Sequence, residues 1–228
     1  MHDINTNKTG HVSRPHPKRR ILTLKPIHIR AIKALIHLVS LWFAALLIWN
    51  TLEGNFGADP IQGLSHFTGL AALNTLFITL AVSPFARWLK QGQLVKVRRV
   101  LGLYSFAWAV LHLAVYIALD LNFQWTLIAD EIVSRPYLSL GAVCWLVLFA
   151  LAITSSHKIQ RTMGRYWQQL HNWVYLALIL APIHYLWSVK SGLIEPVIYL
   201  VVSIALLAMR YHTFRRWFAQ FATAHPRS

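Results

Sequence analysis

His112 and His184 stand on two different apolar runs, and they fall at matching depths. The first run begins near residue 100, so His112 lies about twelve residues in, or roughly 18 Å at about 1.5 Å per helical residue. The second begins near residue 170, so His184 lies about fourteen residues in, or roughly 21 Å. An ionisable side chain inside an apolar span is costly and marks a functional site by default. Two imidazoles facing each other inside a helical bundle can take both axial positions of a b-type haem iron. That makes the pair the candidate metal ligands.

His171 lies thirteen residues before His184, roughly 20 Å lower on the same run and about 140° round an ideal helix. Pro182 can kink the run and alter that phase. A second haem at His171 would want a histidine at the equivalent depth before His112, but those positions hold Arg98 and Arg99. His157 and His37 are the substitutes at that end. The alternative chemistry for His171 is a hydrogen bond to a quinone or flavin carbonyl, with Arg98 or Arg99 supplying positive charge. His66, like His37, suits an interhelical hydrogen bond. His2, His11, His16, His28 and His225 lie in polar flanks and read as solvated.

The elements that must hold these histidines follow from composition. Of 228 residues 56 % are hydrophobic and only 13 % charged, against about 25 % charged in soluble domains. Mean hydropathy is +0.46. Ten Trp and eight Tyr add the residue types of interfacial belts. The expected fold is all-α, an integral membrane bundle of six transmembrane helices over 34–52, 68–89, 100–119, 137–154, 170–189 and 196–211. Each run approaches the 17–25 residues needed to cross about 30 Å of hydrocarbon.

The charges orient the bundle. Of the 22 lysines and arginines, all but Arg135 and Lys190 fall in the N-terminal tail, the 2–3 and 4–5 connections and the C-terminus. Six of the seven acids, all but Asp3, fall on the opposite side. By the positive-inside rule both termini are cytoplasmic. The net charge of +15 is then a topology signal rather than a nucleic-acid footprint. Residues 1–30 read as a basic cytoplasmic tail, despite a faint twin-arginine pattern at Lys18-Arg19-Arg20. Residues 31–212 read as the bundle, and 213–228 as a second basic tail. The loop 122–136 faces outward and has the pattern of a short amphipathic surface helix.

Absences narrow the chemistry. A lone cysteine, Cys144, excludes an internal disulfide, a CxxCH haem attachment and a four-cysteine cluster. No Asp or Glu lies within a span, which counts against an acidic proton relay. No Gly-rich nucleotide fingerprint is present. Three readings remain: an electron-carrying subunit fed by another component, a stand-alone b-cytochrome reducing metal ions or oxygen, and a non-redox scaffold or transporter.

Several motifs carry a resemblance: Gly57-Ala58-Asp59-Pro60 and His66-Phe67-Thr68-Gly69; Arg98-Arg99, Leu101-Gly102-Leu103 and Phe106-Ala107-Trp108 before His112; Arg135-Pro136-Tyr137; Trp167-Gln168-Gln169-Leu170-His171; and Ala181-Pro182-Ile183-His184-Tyr185-Leu186-Trp187. Over about residues 33–211 the chain resembles the MsrQ (formerly YedZ) family, which is similar to the membrane domains of ferric reductases and NADPH oxidases. The resemblance implies a bacterial inner-membrane subunit carrying haem b, one or two per chain, with FMN also described for the family. The resemblance further implies that electrons come from the quinone pool or a flavin donor and pass to a periplasmic MsrP-like molybdopterin reductase, which repairs methionine sulfoxide in oxidised proteins. By position His112 and His184 match the family's haem ligands and His171 its third important histidine. The arginine at the fourth ligand position departs from the oxidases. The substrate site is expected on the partner, docked on outer loops 53–66, 120–136 and 188–195.

Overall fold

The computed structural model describes residues 24–189, 191–211 and 215. The greater part of both predicted tails, and Lys190, lie outside these. Among the described residues the regular structure is entirely helical. Long helices α1 (Pro26–Leu52), α2 (Pro60–Trp88), α3 (Arg98–Val115) and α5 (Pro136–Ile153) are joined by shorter pieces. The latter are α4 (Trp125–Ser134), α6 (His157–Met163) and α7 (Arg165–His171), followed by α8 (Val174–Ser188) and α9 (Ile194–Ala208). Proline opens α1, α2 and α5, where its missing N–H costs nothing. Asp59 caps α2 by accepting from the Gln62 N–H at 3.0 Å.

Four helical stretches are long and apolar enough to cross a membrane: α1, α2, α3 with its flanking turns, and α5. The last two predicted spans are shorter than expected. Helices α8 and α9 have 15 residues each, about 22 Å of helix against roughly 30 Å of hydrocarbon. The predicted span 170–189 also begins inside α7, and the chain tightens between α7 and α8. There the N–H groups of Trp173, Tyr175 and Leu176 bond the carbonyls three residues back, so the phase between His171 and His184 changes at this tight turn. Helix α1 starts at Pro26 rather than 34, because Arg30 and Lys33 are accommodated on its first turns. The connection over 122–136 does hold a short helix, α4.

The core lies where α2, α3, α5, α8 and α9 meet, around Leu76, Leu80, Ala109, Leu148, Ala177 and Leu178. Helix α1 is peripheral, burying only Ile29 and Leu47 and turning Leu38, Trp42 and Trp49 outward. Such an apolar exterior is what lipid contact requires.

Two helices, α2 and α8, carry an interior proline. Pro84 in α2 and Pro182 in α8 have no N–H to offer the carbonyls four residues earlier, Leu80 and Leu178. Both carbonyls are satisfied from the last part of the chain. Arg210 donates to Leu80 O at 2.8 Å, and the Ser203 hydroxyl donates to Leu178 O. Ser203 and Arg210 thereby tie this segment to α2 and α8.

Candidate functional site

His112 on α3 and His184 on α8 meet inside the bundle, with ring centroids 6.2 Å apart and ring planes at 82°. Their surroundings are built alike. The His112 Nδ1–H donates to Ser65 O of α2 at 3.0 Å, and the His184 Nδ1–H donates to Tyr137 O of α5 at 2.7 Å. Each bond spans 47 residues. In each case the residue one turn beyond the accepting carbonyl is a glycine, Gly69 or Gly141, lying against the imidazole it serves. A side chain there would shield the carbonyl from the ring. Ser65, Gly69 and His112 thus recur at a constant offset as Tyr137, Gly141 and His184. At that same offset His171 corresponds to Arg99.

The carbonyls fix the tautomer. A carbonyl only accepts, so the proton of each neutral ring sits on Nδ1 and Nε2 is left with a free lone pair. This is the ligand form of histidine, with the second nitrogen anchored. Imidazole–metal bonds of about 2 Å on opposite sides of one ion would put ring centres roughly 6 Å apart, which the pair satisfies. Among the described residues no three His, Cys, Asp or Glu side chains converge on a common point. The pair therefore offers two ligands, the number that an iron porphyrin leaves open.

A cavity of about 530 Å³ surrounds the pair, lined largely by apolar side chains such as Leu73, Ala109, Leu113 and Leu148, with His66, Tyr116, Trp145 and Tyr185 among the polar ones. The Tyr116 hydroxyl and Trp145 Nε1 are buried there without a hydrogen-bond partner, an arrangement suited to an occupant that carries acceptors. A largely apolar enclosure with paired axial donors fits haem b. A five-residue π-type turn, Tyr116–Asp120, widens the end of α3 beside the cavity. Of the small residues on α3, Ala109 lines the cavity, whereas Ala107 and Ala114 face outward.

His171 lies at the opposite, basic end. Its ring stacks on Trp167 at 3.9 Å, and its Nε2 is 3.2 Å from Thr154 Oγ1. The Thr154 hydroxyl donates its proton to Ala150 O at 2.6 Å, so His171 must be the donor to Thr154. Its bare nitrogen is then Nδ1, the reverse of the cavity pair. Arg98 is near enough to act electrostatically on His171, whereas Arg99 is exposed. His37 hydrogen-bonds Tyr104 OH through Nδ1 at 2.7 Å, and His157 is exposed at the start of α6. His66 Nε2 is 2.9 Å from Tyr185 OH and 3.9 Å from Glu195. Sequence reasoning missed the roles of Gly69, Gly141, Tyr185 and Arg210. A glycine interrupting an apolar run was the available signal for the first two.

Residues 67–182 match the family model described as ferric reductase like transmembrane component. Among curated proteins, the chain is 50 % identical over 187 residues to the protein-methionine-sulfoxide reductase heme-binding subunit MsrQ of Klebsiella pneumoniae (strain 342), covering 82 % of this chain and 94 % of that one. It is 49 % identical over 197 residues to the MsrQ of Salmonella newport (strain SL254), covering 86 % and 98 %. No solved structure matches. With about half of the chain matched by the family model and nearly the whole length of these relatives covered at about 50 % identity, the chain belongs to the MsrQ family of ferric reductase-like transmembrane proteins.

Proposed function

We propose that this chain is the haem b-carrying electron-transfer subunit of a two-component methionine sulfoxide reductase. In this reading it sits in a bacterial inner membrane as six crossings, with both termini cytoplasmic. It receives electrons from the quinone pool or a flavin donor at the basic end. It delivers them at the acidic end to a periplasmic MsrP-like molybdopterin reductase. The observation that carries the reading is the His112–His184 pair, 6.2 Å apart with both Nδ1 atoms committed to carbonyls. The names of the relatives supply the reductase system and the haem.

When bound, the haem supplies a one-electron centre, and the protein supplies ligation, height and dielectric. His112 and His184 would hold the group through Nε2, while Ser65 O and Tyr137 O keep each ring from turning. Gly69 and Gly141 leave the rings room, and the apolar lining excludes water. At the basic end the His171 Nδ1 lone pair can accept a proton from a hydroquinone hydroxyl, while Arg98 holds positive charge nearby. FMN is the alternative occupant of that end. His171 is held by Trp167 and Thr154 and is not among the residues lining the cavity of His112 and His184, so the two sites serve different groups. In this reading α7, the tight turn and α8 together make the fifth crossing, because α8 alone has only 15 residues. Surface helix α4 and the neighbouring connections form the docking side for the partner.

The reading is tested by reduction of the purified protein with a quinol and reoxidation by a periplasmic reductase of this class. Haem bands that appear with quinol and disappear with the partner plus methionine sulfoxide support it. A chain that binds haem yet transfers electrons to ferric chelates and not to the partner would favour a stand-alone cytochrome.

A further inference from the structure

Arg98 and Arg210 both lie at the basic end of the bundle, and among the described residues no carboxylate pairs with either of them. Arg210 is only 7 % exposed. It gives one N–H to Tyr175 OH at 2.9 Å and another to Leu80 O, both uncharged acceptors. Its Nε is buried without a partner. Arg98, at the first position of α3, is half-buried, and its Nε is likewise buried and unpartnered. The two guanidinium groups are within electrostatic reach of one another and of Tyr175. Six of the seven carboxylates of the chain lie at the far end, and the seventh, Asp3, lies outside the described residues. The ion pairs among the described residues, Glu131 with Arg135 and His66 with Glu195, are also at the far end.

Two buried like charges destabilise each other and each carries a desolvation cost. The fold nevertheless assembles them from two distant segments, and it uses Arg210 to cap the carbonyl that Pro84 frees. Arginine forks match the oxygen geometry of phosphate better than any other cationic side chain. We propose that Arg98 and Arg210 form a phosphate-binding site at the basic end, occupied by a phospholipid headgroup or by the phosphate of a nucleotide-type cofactor. Arg98 is the open side of the site, and Arg210 is its fixed wall. A bound phospholipid would go beyond the electron-transfer role, whereas a flavin mononucleotide would rest on the flavin reading of the basic end given above, and the mass of the retained molecule separates the two.

Native mass spectrometry of the full-length protein in mild detergent tests it. The wild type is expected to retain one phosphorus-containing molecule per chain, whose mass distinguishes a phospholipid from flavin mononucleotide. Arg98→Gln and Arg210→Gln should reduce its occupancy by about tenfold or more, while Arg99→Gln and Asp3→Asn leave it in place. Arg210→Lys keeps the charge and guards against a mere packing defect, and haem bands on the same samples report the fold independently. Wild type that emerges bare is titrated with flavin mononucleotide and with short-chain phosphatidylglycerol, and a rise in Tm that both glutamine variants lose supports the site. Bare protein with no such rise, or a molecule retained equally by Arg98→Gln and Arg210→Gln, overturns it.

Discussion

Gly141 stands so close to His184 that a methyl group on it would lie 2.8 Å from both Cε1 and Nδ1 of the imidazole. At Gly69 the same addition would lie 3.2 Å from His112 Cε1 and Nδ1. The two clearances differ by enough to separate their consequences. Gly141→Ala must push the ring off the Tyr137 carbonyl, whereas Gly69→Ala asks for a shift of a few tenths of an ångström. Overpacking of this kind costs about 1–3 kcal/mol. The expected outcome is loss of most haem from Gly141→Ala and retention of most in Gly69→Ala with a changed band position, read from haem-to-protein ratios of purified samples.

The opposite tautomer of His171 separates its role from that of the cavity pair. His171→Ala is expected to keep the haem bands of the wild type but to slow their reduction by a quinol about tenfold or more. Thr154→Val removes the acceptor that holds Nε2–H, a bond worth roughly 0.6–2 kcal/mol between membrane helices. It should give the same defect in milder form. Stopped-flow reduction by a soluble quinol, compared with reduction by dithionite, distinguishes a lost entry site from a damaged haem.

The hydroxyl of Ser203 is useful to Leu178 O only because Pro182 cannot supply an N–H. Ser203→Ala should therefore destabilise the protein by about 1–2 kcal/mol in the wild-type background. The same change should cost clearly less once Pro182→Ala has restored a donor within α8. A double-mutant cycle on Tm or on denaturation in detergent measures the coupling, and additive effects would contradict this account of the two residues.

Much of the arrangement is legible in the sequence for a simple reason: membrane spans are written as apolar runs, and charges separate their ends. Counting along two such runs places His112 and His184 at one height, and the structure brings them to 6.2 Å. The outward amphipathic pattern likewise anticipates α4. Other features carry little or no one-dimensional signal. No Gly or Pro marks the tight turn at Asn172 and Trp173, so the phase of His171 could not be read from residue counts. Arg210 looks like one more topology charge until the carbonyl left by Pro84 is seen beneath it. The roles of Gly69 and Gly141 depend on which helix lies opposite, and a single run of sequence does not state that.

The most direct test is the visible spectrum of detergent-purified wild type, His112→Ala and His184→Ala, oxidised and dithionite-reduced, with pyridine-haem stoichiometry. The account predicts sharp six-coordinate b-type bands in the wild type and loss of stable haem in both variants, with helical circular dichroism retained. Full haem content with unchanged bands in both variants would contradict the assignment of these histidines as the axial ligands.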